Sequence, residues 1–170
     1  MLKVVKGDLF DTQAKYLCHQ CNCVTSSAAH LAWHVFKRYP YADVYSPRKE
    51  TILQNSIDEP QVIWSKDTPG DIIIRGNGED QRYVVAILGQ YYPGTPRYPN
   101  DELDGTIARQ KYFHQALWKL VQVEDLHSVA FPWGIGCGAA GGDWNVYYKI
   151  IGNFAKYLDS KADVFIYLKE

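Results

Sequence analysis

Between Val129 and Trp144 the chain reads VAFPWGIGCGAAGGDW, an apolar run followed by glycines at 134, 136, 138, 141 and 142. Asp143-Trp144-Asn145 then opens a helical pattern. Strand, glycine loop and helix N-terminus in this order place backbone N–H groups against an anion, a phosphate above all. Glycine permits close main-chain approach and φ > 0, and a helix start favours negative charge. No Lys-Ser or Lys-Thr pair follows the glycines, so the loop is not a nucleotide P-loop. Its position near the C-terminus also excludes the dinucleotide fingerprint, which belongs to a first strand. A tight, flexible connection is the bland reading of the same residues. Asp143 could position a water beside this loop, or serve as N-cap of the helix that Trp144 begins.

Other side chains with chemical capacity lie near the N-terminus. Asp8 follows Gly7 at the end of a strand pattern, where a carboxylate can accept from an exocyclic amine or form an Asx turn. Cys18-His19-Gln20-Cys21-Asn22-Cys23 has the density of a zinc site, but no second CxxC or HxxxH pair completes it, and buried cysteines serve equally as small hydrophobes. No metal is therefore expected. His19 could act as a general acid or charge partner beside a phosphate, or be a satisfied strand histidine. His30 and His34, one helical turn apart, are taken as a polar helix face. Asp101, Glu102 and Asp104 are taken as solvated loop and helix-start charge.

The elements that must position these residues alternate. Leu2–Val5 and Tyr16–Cys21 read as strands, and residues 30–39 as an amphipathic helix stopped by Pro40. Residues 41–69 are less regular, with a short strand at Val62–Trp64. Asp71–Arg75 and Tyr83–Tyr91 form a hairpin across Gly76–Asp80. A proline-rich loop over 93–99 precedes a helix over Arg109–Val121, the glycine strand, a helix from Trp144 and a closing strand at Val164–Leu168. Strands separated by helices predict a three-layer α/β fold with a mixed sheet, and no linker or repeat divides residues 1–170. Ligands of such sheets sit at the carboxyl ends of the strands, which gathers Asp8, the Asn22–Ala29 turn, the Gln90–Pro99 segment and Gly134–Gly142.

A net charge of −1 gives no basic footprint for nucleic acid, and no stretch reaches membrane-spanning length. With no targeting pattern and four cysteines that do not form a disulfide framework, an intracellular protein, cytoplasmic or nuclear, is expected.

The quoted residues together resemble the macrodomains, which bind ADP-ribose. Lys6-Gly7-Asp8-Leu9 is similar to the family's opening motif, whose Asp contacts adenine. Cys21-Asn22-Cys23 is similar to the segment whose Asn contacts the distal ribose, and Gly134-Ile135-Gly136-Cys137-Gly138 to the loop that wraps the diphosphate. The closing strand resembles the one whose aromatic, here Tyr167, lies near adenine. Order and spacing match along essentially the whole chain. The resemblance implies ligand contacts from Asp8, Leu9, Asn22, Gly134, Ile135, Gly136, Cys137, Gly138 and Tyr167. It also implies no cofactor, and ADP-ribose or an ADP-ribosylated substrate as partner, with nucleic acid relevant only if so modified.

His19–Cys23 and the IGCG loop look most like the branch of the terminal ADP-ribose protein glycohydrolase and the yeast-type ADP-ribose 1″-phosphate phosphatases. Hydrolysis of an ADP-ribose derivative is the implied activity, with His19, Asn22 and Asp143 as catalytic candidates; a non-catalytic recognition module is the alternative. Two departures stand out. Ser26-Ser27-Ala28-Ala29-His30 replaces the family's glycine-rich turn after the Asn. No lysine stands at Gly89-Gln90, and Ala140 occupies the place of the glycohydrolase's acidic partner, which argues against its lysine chemistry.

Overall fold

The computed structural model describes residues 1–48, 50–54, 60–64 and 66–170. The strands are β1 (Leu2–Lys6), β2 (Tyr16–Cys21), β3 (Glu50–Gln54), β4 (Pro60–Trp64), β5 (Ile72–Arg75), β6 (Tyr83–Leu88), β7 (His127–Pro132) and β8 (Ala162–Leu168). The helices are α1 (His30–Arg38), α2 (Thr106–Val121) and α3 (Trp144–Leu158). Six strands form one sheet in the order β1-β8-β7-β2-β6-β5, and β3 pairs with β4 in a separate antiparallel hairpin. Within the large sheet only β5 runs antiparallel, so the sheet is mixed, and α1 covers one face while α2 and α3 cover the other. This is the expected three-layer α/β arrangement.

Side-chain alternation along β2 explains the two cores. Tyr16 and Cys18 pack with Phe113, Leu117, Leu120, Ile151 and Phe154 from α2 and α3. Leu17 and Cys21 pack with Val35 and Phe36 from α1. Burying each large aliphatic or aromatic side chain in these layers stabilises the fold by roughly 1.5–3 kcal/mol. Cys18 and Cys21 thus project from opposite faces of one strand, a geometry that cannot close on a single ion. Among the described residues no group of three or more His, Cys, Asp or Glu is placed to hold a metal. No helix of the described residues is long and apolar enough to cross a membrane.

The structure moves several sequence boundaries. The hairpin strand expected to reach Tyr91 ends at Leu88, because Gly89 N–H turns back to the Ile87 carbonyl and Tyr91 N–H is taken by Asp104. Helix α2 begins three residues before Arg109, at Thr106. The short strand expected at 62–64 is part of β4. All five parallel strands end on the same edge of the sheet, so the loops that follow them meet there.

Candidate functional site

Two cavities of about 680 and 420 Å³ lie along that edge and share Leu31, Pro132 and Trp133, so that they adjoin as two parts of a groove. The larger is lined by Asp8, Leu9, Tyr167 and a basic rim of Lys37, Arg38 and Lys169. The smaller is lined by Gln20, Asn22, Gln90, His30 and the loop from Gly134 to Ala140. Trp133, 41% exposed, stands between the two, braced by Trp144 and Tyr148 with ring centroids 5.0 and 5.9 Å away.

At the larger cavity, Asp8 Oδ1 accepts from Phe10 N–H at 2.9 Å and caps the 3-10 turn Leu9–Asp11. That bond is the main reason its carboxyl is held below the ordinary range, with Lys169 Nζ at 3.5 Å adding to it. The Asx turn and the cavity position, alternatives in the sequence, are both occupied by the same side chain.

The glycine loop is a series of tight turns. Ile135 N–H donates to the Pro132 carbonyl, Cys137 N–H to Gly134 and Gly142 N–H to Gly136, while Gly134 and Gly136 take φ of 77° and 76°. The N–H groups of Gly134, Gly136 and Gly138 have no protein acceptor among the described residues. Alternate residues of the loop therefore build it and the rest offer donors, the concave anion nest that positive-φ turns produce. Burial raises the Cys137 thiol to about 11, and its Sγ lies 3.4 Å from the Ile135 carbonyl.

Asn22 is buried, and its Oδ1 accepts from Val24 N–H, Thr25 N–H and Thr25 Oγ1 at 3.0, 2.9 and 3.1 Å. With that oxygen used to fold the turn, Nδ2 is the Asn22 group suited to a ligand. The turn is held from below by Arg48, which donates to the Asn22 carbonyl at 2.7 Å and the Thr25 carbonyl at 3.1 Å and pairs with Asp67 at 2.8 Å. Its guanidinium lies over the Tyr45 ring, whose hydroxyl accepts from Asn22 N–H at 2.9 Å. In place of a glycine-rich turn, α1 starts at His30 with φ of 57°. A non-glycine residue in that region stores strain, and this one faces the smaller cavity.

Two catalytic candidates lie outside the lining of both cavities. His19 is fully buried on the α1 side of β2, edge-on to Phe36 at 5.3 Å and 3.7 Å from Cys21 Sγ, and lines neither cavity. Alternation along β2 is the reason: Gln20, its neighbour, is the residue that faces the groove. Burial lowers the His19 imidazole to about 4. Asp143 is exposed, accepts from Asn145 N–H at 3.0 Å as the α3 N-cap, and does not line the groove.

The His19 environment carries a pH dependence. The unfolded chain takes up this proton near 6.5 and the folded chain near about 4. Stability is therefore retained above about pH 6.5 and declines as pH falls toward about 4, by up to about 3 kcal/mol. Urea melts of the wild type between pH 7 and 4.5 should lose more stability than those of His19→Leu. Equal losses would mean that the imidazole accepts a proton without unfolding.

Three functional groupings were not foreseen. Arg48–Asp67 braces the Asn22 turn. Gln20 Nε2 donates to Gln90 Oε1 at 2.7 Å beneath the glycine loop. Arg109 pairs bidentately with Asp104, Nε to Oδ1 at 3.1 Å and Nη2 to Oδ2 at 2.7 Å, and also donates to the Gly94 carbonyl at 2.6 Å. Asp104, expected in solvent, is 5% exposed and accepts from the N–H groups of Tyr91 and Tyr92. The available sequence signal was a basic residue, Arg109, on the apolar repeat of α2 with an acidic residue five positions before it.

No family model and no curated protein matches the sequence. Solved structures do match. The macrodomain of Mycobacterium tuberculosis DarG superposes with a TM-score of 0.72 at 20% identity, covering 98% of this chain and 97% of that one. The macrodomain of Thermus aquaticus DarG gives 0.65 at 20% identity, over 99% and 98%. A Trypanosoma brucei macrodomain in complex with ADP-ribose gives 0.62 at 13% identity, over 98% of this chain and 63% of that one. The fold is that of a macrodomain.

Proposed function

We propose that the groove binds ADP-ribose. The observation that carries this reading is that two adjoining cavities flank Trp133, with a carboxylate in one and loop N–H groups that have no acceptor among the described residues in the other. In this arrangement Asp8 accepts from the adenine amine, with Leu9 and Tyr167 against the base. The N–H groups of Gly134, Gly136 and Gly138 meet the diphosphate beside Ile135 and Cys137, and Asn22 Nδ2 meets the distal ribose. A macrodomain of similar fold has been solved with this ligand.

The finer reading is hydrolysis of an ADP-ribose derivative, such as the 1″-phosphate, an acyl ester or an ADP-ribosylated target. Its substituent would sit in the smaller cavity, where His30 is the imidazole in the wall. A non-catalytic recognition module is the second reading. It is favoured by the absence of Asp, Glu, Lys and Arg from the described lining of that cavity.

Calorimetric titration with ADP-ribose tests the binding, and product release from a panel of derivatives tests turnover. Tight binding without turnover of any derivative assigns the module. Asp8→Ala should weaken ADP-ribose binding by about 1.5–3 kcal/mol, the range for a hydrogen bond to a charged group. Unchanged affinity in a folded Asp8→Ala protein would remove Asp8 from the adenine site.

A further inference from the structure

We infer that His30 supplies the positive charge that meets the ligand's diphosphate, an inference that rests on the ADP-ribose reading. Among the described residues four non-glycine positions take a positive φ, and His30, at 57°, is the one of them that lines the groove. Asp125, His127 and Asp159 line neither cavity. Backbone strain of this kind persists only where the surrounding structure imposes it, and it gathers at ligand sites. Glycine would occupy the same φ without strain. What histidine adds over glycine is an imidazole, exposed in the wall of the smaller cavity.

The composition of that wall decides what the imidazole can do. Among the described residues no Asp, Glu, Lys or Arg lines the smaller cavity, and its titratable side chains are His30, Tyr45 and Cys137. Burial raises the Tyr45 hydroxyl above its ordinary value and the Cys137 thiol to about 11, so both stay neutral at physiological pH. Histidine is the side chain suited to change its charge between about pH 5 and 8. The other groups of the wall also favour an anion. They are the N–H groups of Gly134, Gly136 and Gly138 and the start of α1, where Ala29 offers no side-chain cap. These are partial charges, whereas a diphosphate carries full ones. Protonated His30 is the full countercharge that the described wall can supply. The nearest other charged and titratable groups of the groove, His34 one turn along α1 with Asp8, Lys37, Arg38 and Lys169, border the larger cavity, where this reading places adenine.

The test is the pH dependence of ADP-ribose affinity, read by calorimetry at about pH 6 and about pH 8. A diphosphate esterified at both ends keeps its charge over this range, so a change in affinity reports on the protein. ADP is unsuitable, because its terminal phosphate titrates there. The wild type should bind ADP-ribose about 10-fold more tightly at the lower pH, where the ring is protonated. His30→Asn, a residue that tolerates positive φ, should bind at both pH values within about twofold of the weaker wild-type affinity. His34→Asn should keep the wild-type dependence. A wild type without pH dependence, a dependence that survives in His30→Asn, or one lost in His34→Asn overturns the inference and leaves ADP-ribose binding intact. A wild type that binds ADP-ribose at neither pH overturns the functional reading itself. Should His30→Asn not fold, His30→Gly, which fits the same φ, is read in the same way.

Discussion

Arg109→Met should destabilise the protein by about 3–5 kcal/mol, the cost of leaving one partner of a buried ion pair alone. The two side chains are 3% and 6% exposed, so the stranded Asp104 carboxylate could not turn to water. Asp104 would keep its bonds from Tyr91 and Tyr92 N–H, but the carbonyls of Tyr92, Gly94 and Ala140 would lose their shared guanidinium. Those carbonyls belong to the segment after β6 and to the glycine loop, both of which line the smaller cavity. Urea denaturation gives the stability change, and Asp104→Leu added to Arg109→Met should recover much of it, because both charges are then gone. ADP-ribose affinity should not recover with it, since neither leucine nor methionine ties the two loops together. A stability loss under about 1 kcal/mol for Arg109→Met would mean that the pair is solvated in solution.

Gly138→Val should abolish ADP-ribose binding, a loss of at least about 100-fold, without unfolding the protein. The choice among the loop glycines follows from what a side chain would meet. At Gly136 a Cβ would lie 2.7 Å from Tyr147 Cε1 in the core, and φ is 76°, so a valine there damages the fold before it touches a ligand. At Gly138 φ lies outside the positive range and a Cβ meets no protein atom within 4 Å, yet the residue lines the smaller cavity. A β-branched side chain there would project into open space beside the unpaired Gly138 N–H. Circular dichroism and thermal melting should match the wild type, while calorimetry shows no binding. Wild-type affinity in folded Gly138→Val would show that the ligand does not use this part of the loop.

Much of the architecture follows from local pattern. Tyr16–Cys21 appears with the bounds its residues predicted, because its β-prone residues lie in one unbroken run. The hairpin over 71–88 follows from two apolar runs around Gly76–Asp80, whose Asn77 accepts from Glu79 and Gln81 N–H. Asp143 as helix cap follows from its place before Trp144. The groove edge also follows, since parallel strands leave their carboxyl ends together. The β3 strand at 50–54 lay outside every sequence signal used.

What only the tertiary structure decided is which of two adjacent residues faces the groove. A strand reverses its side chains at every residue, and no local feature of His19-Gln20 states which face is the groove. The outcome placed the titratable histidine in the core and the neutral glutamine in the cavity wall. The same holds for buried charge. Asp104 reads as solvated loop and Arg109 as the start of a helix, until the fold brings the Tyr91–Gly94 loop and Ala140 within reach of one guanidinium. Arg48, from the irregular stretch, likewise acquires its role only because Asn22, Thr25 and Asp67 converge on it. Hydrogen-bond partners 19 to 31 residues apart are a property of packing, and no spacing rule along the chain encodes them.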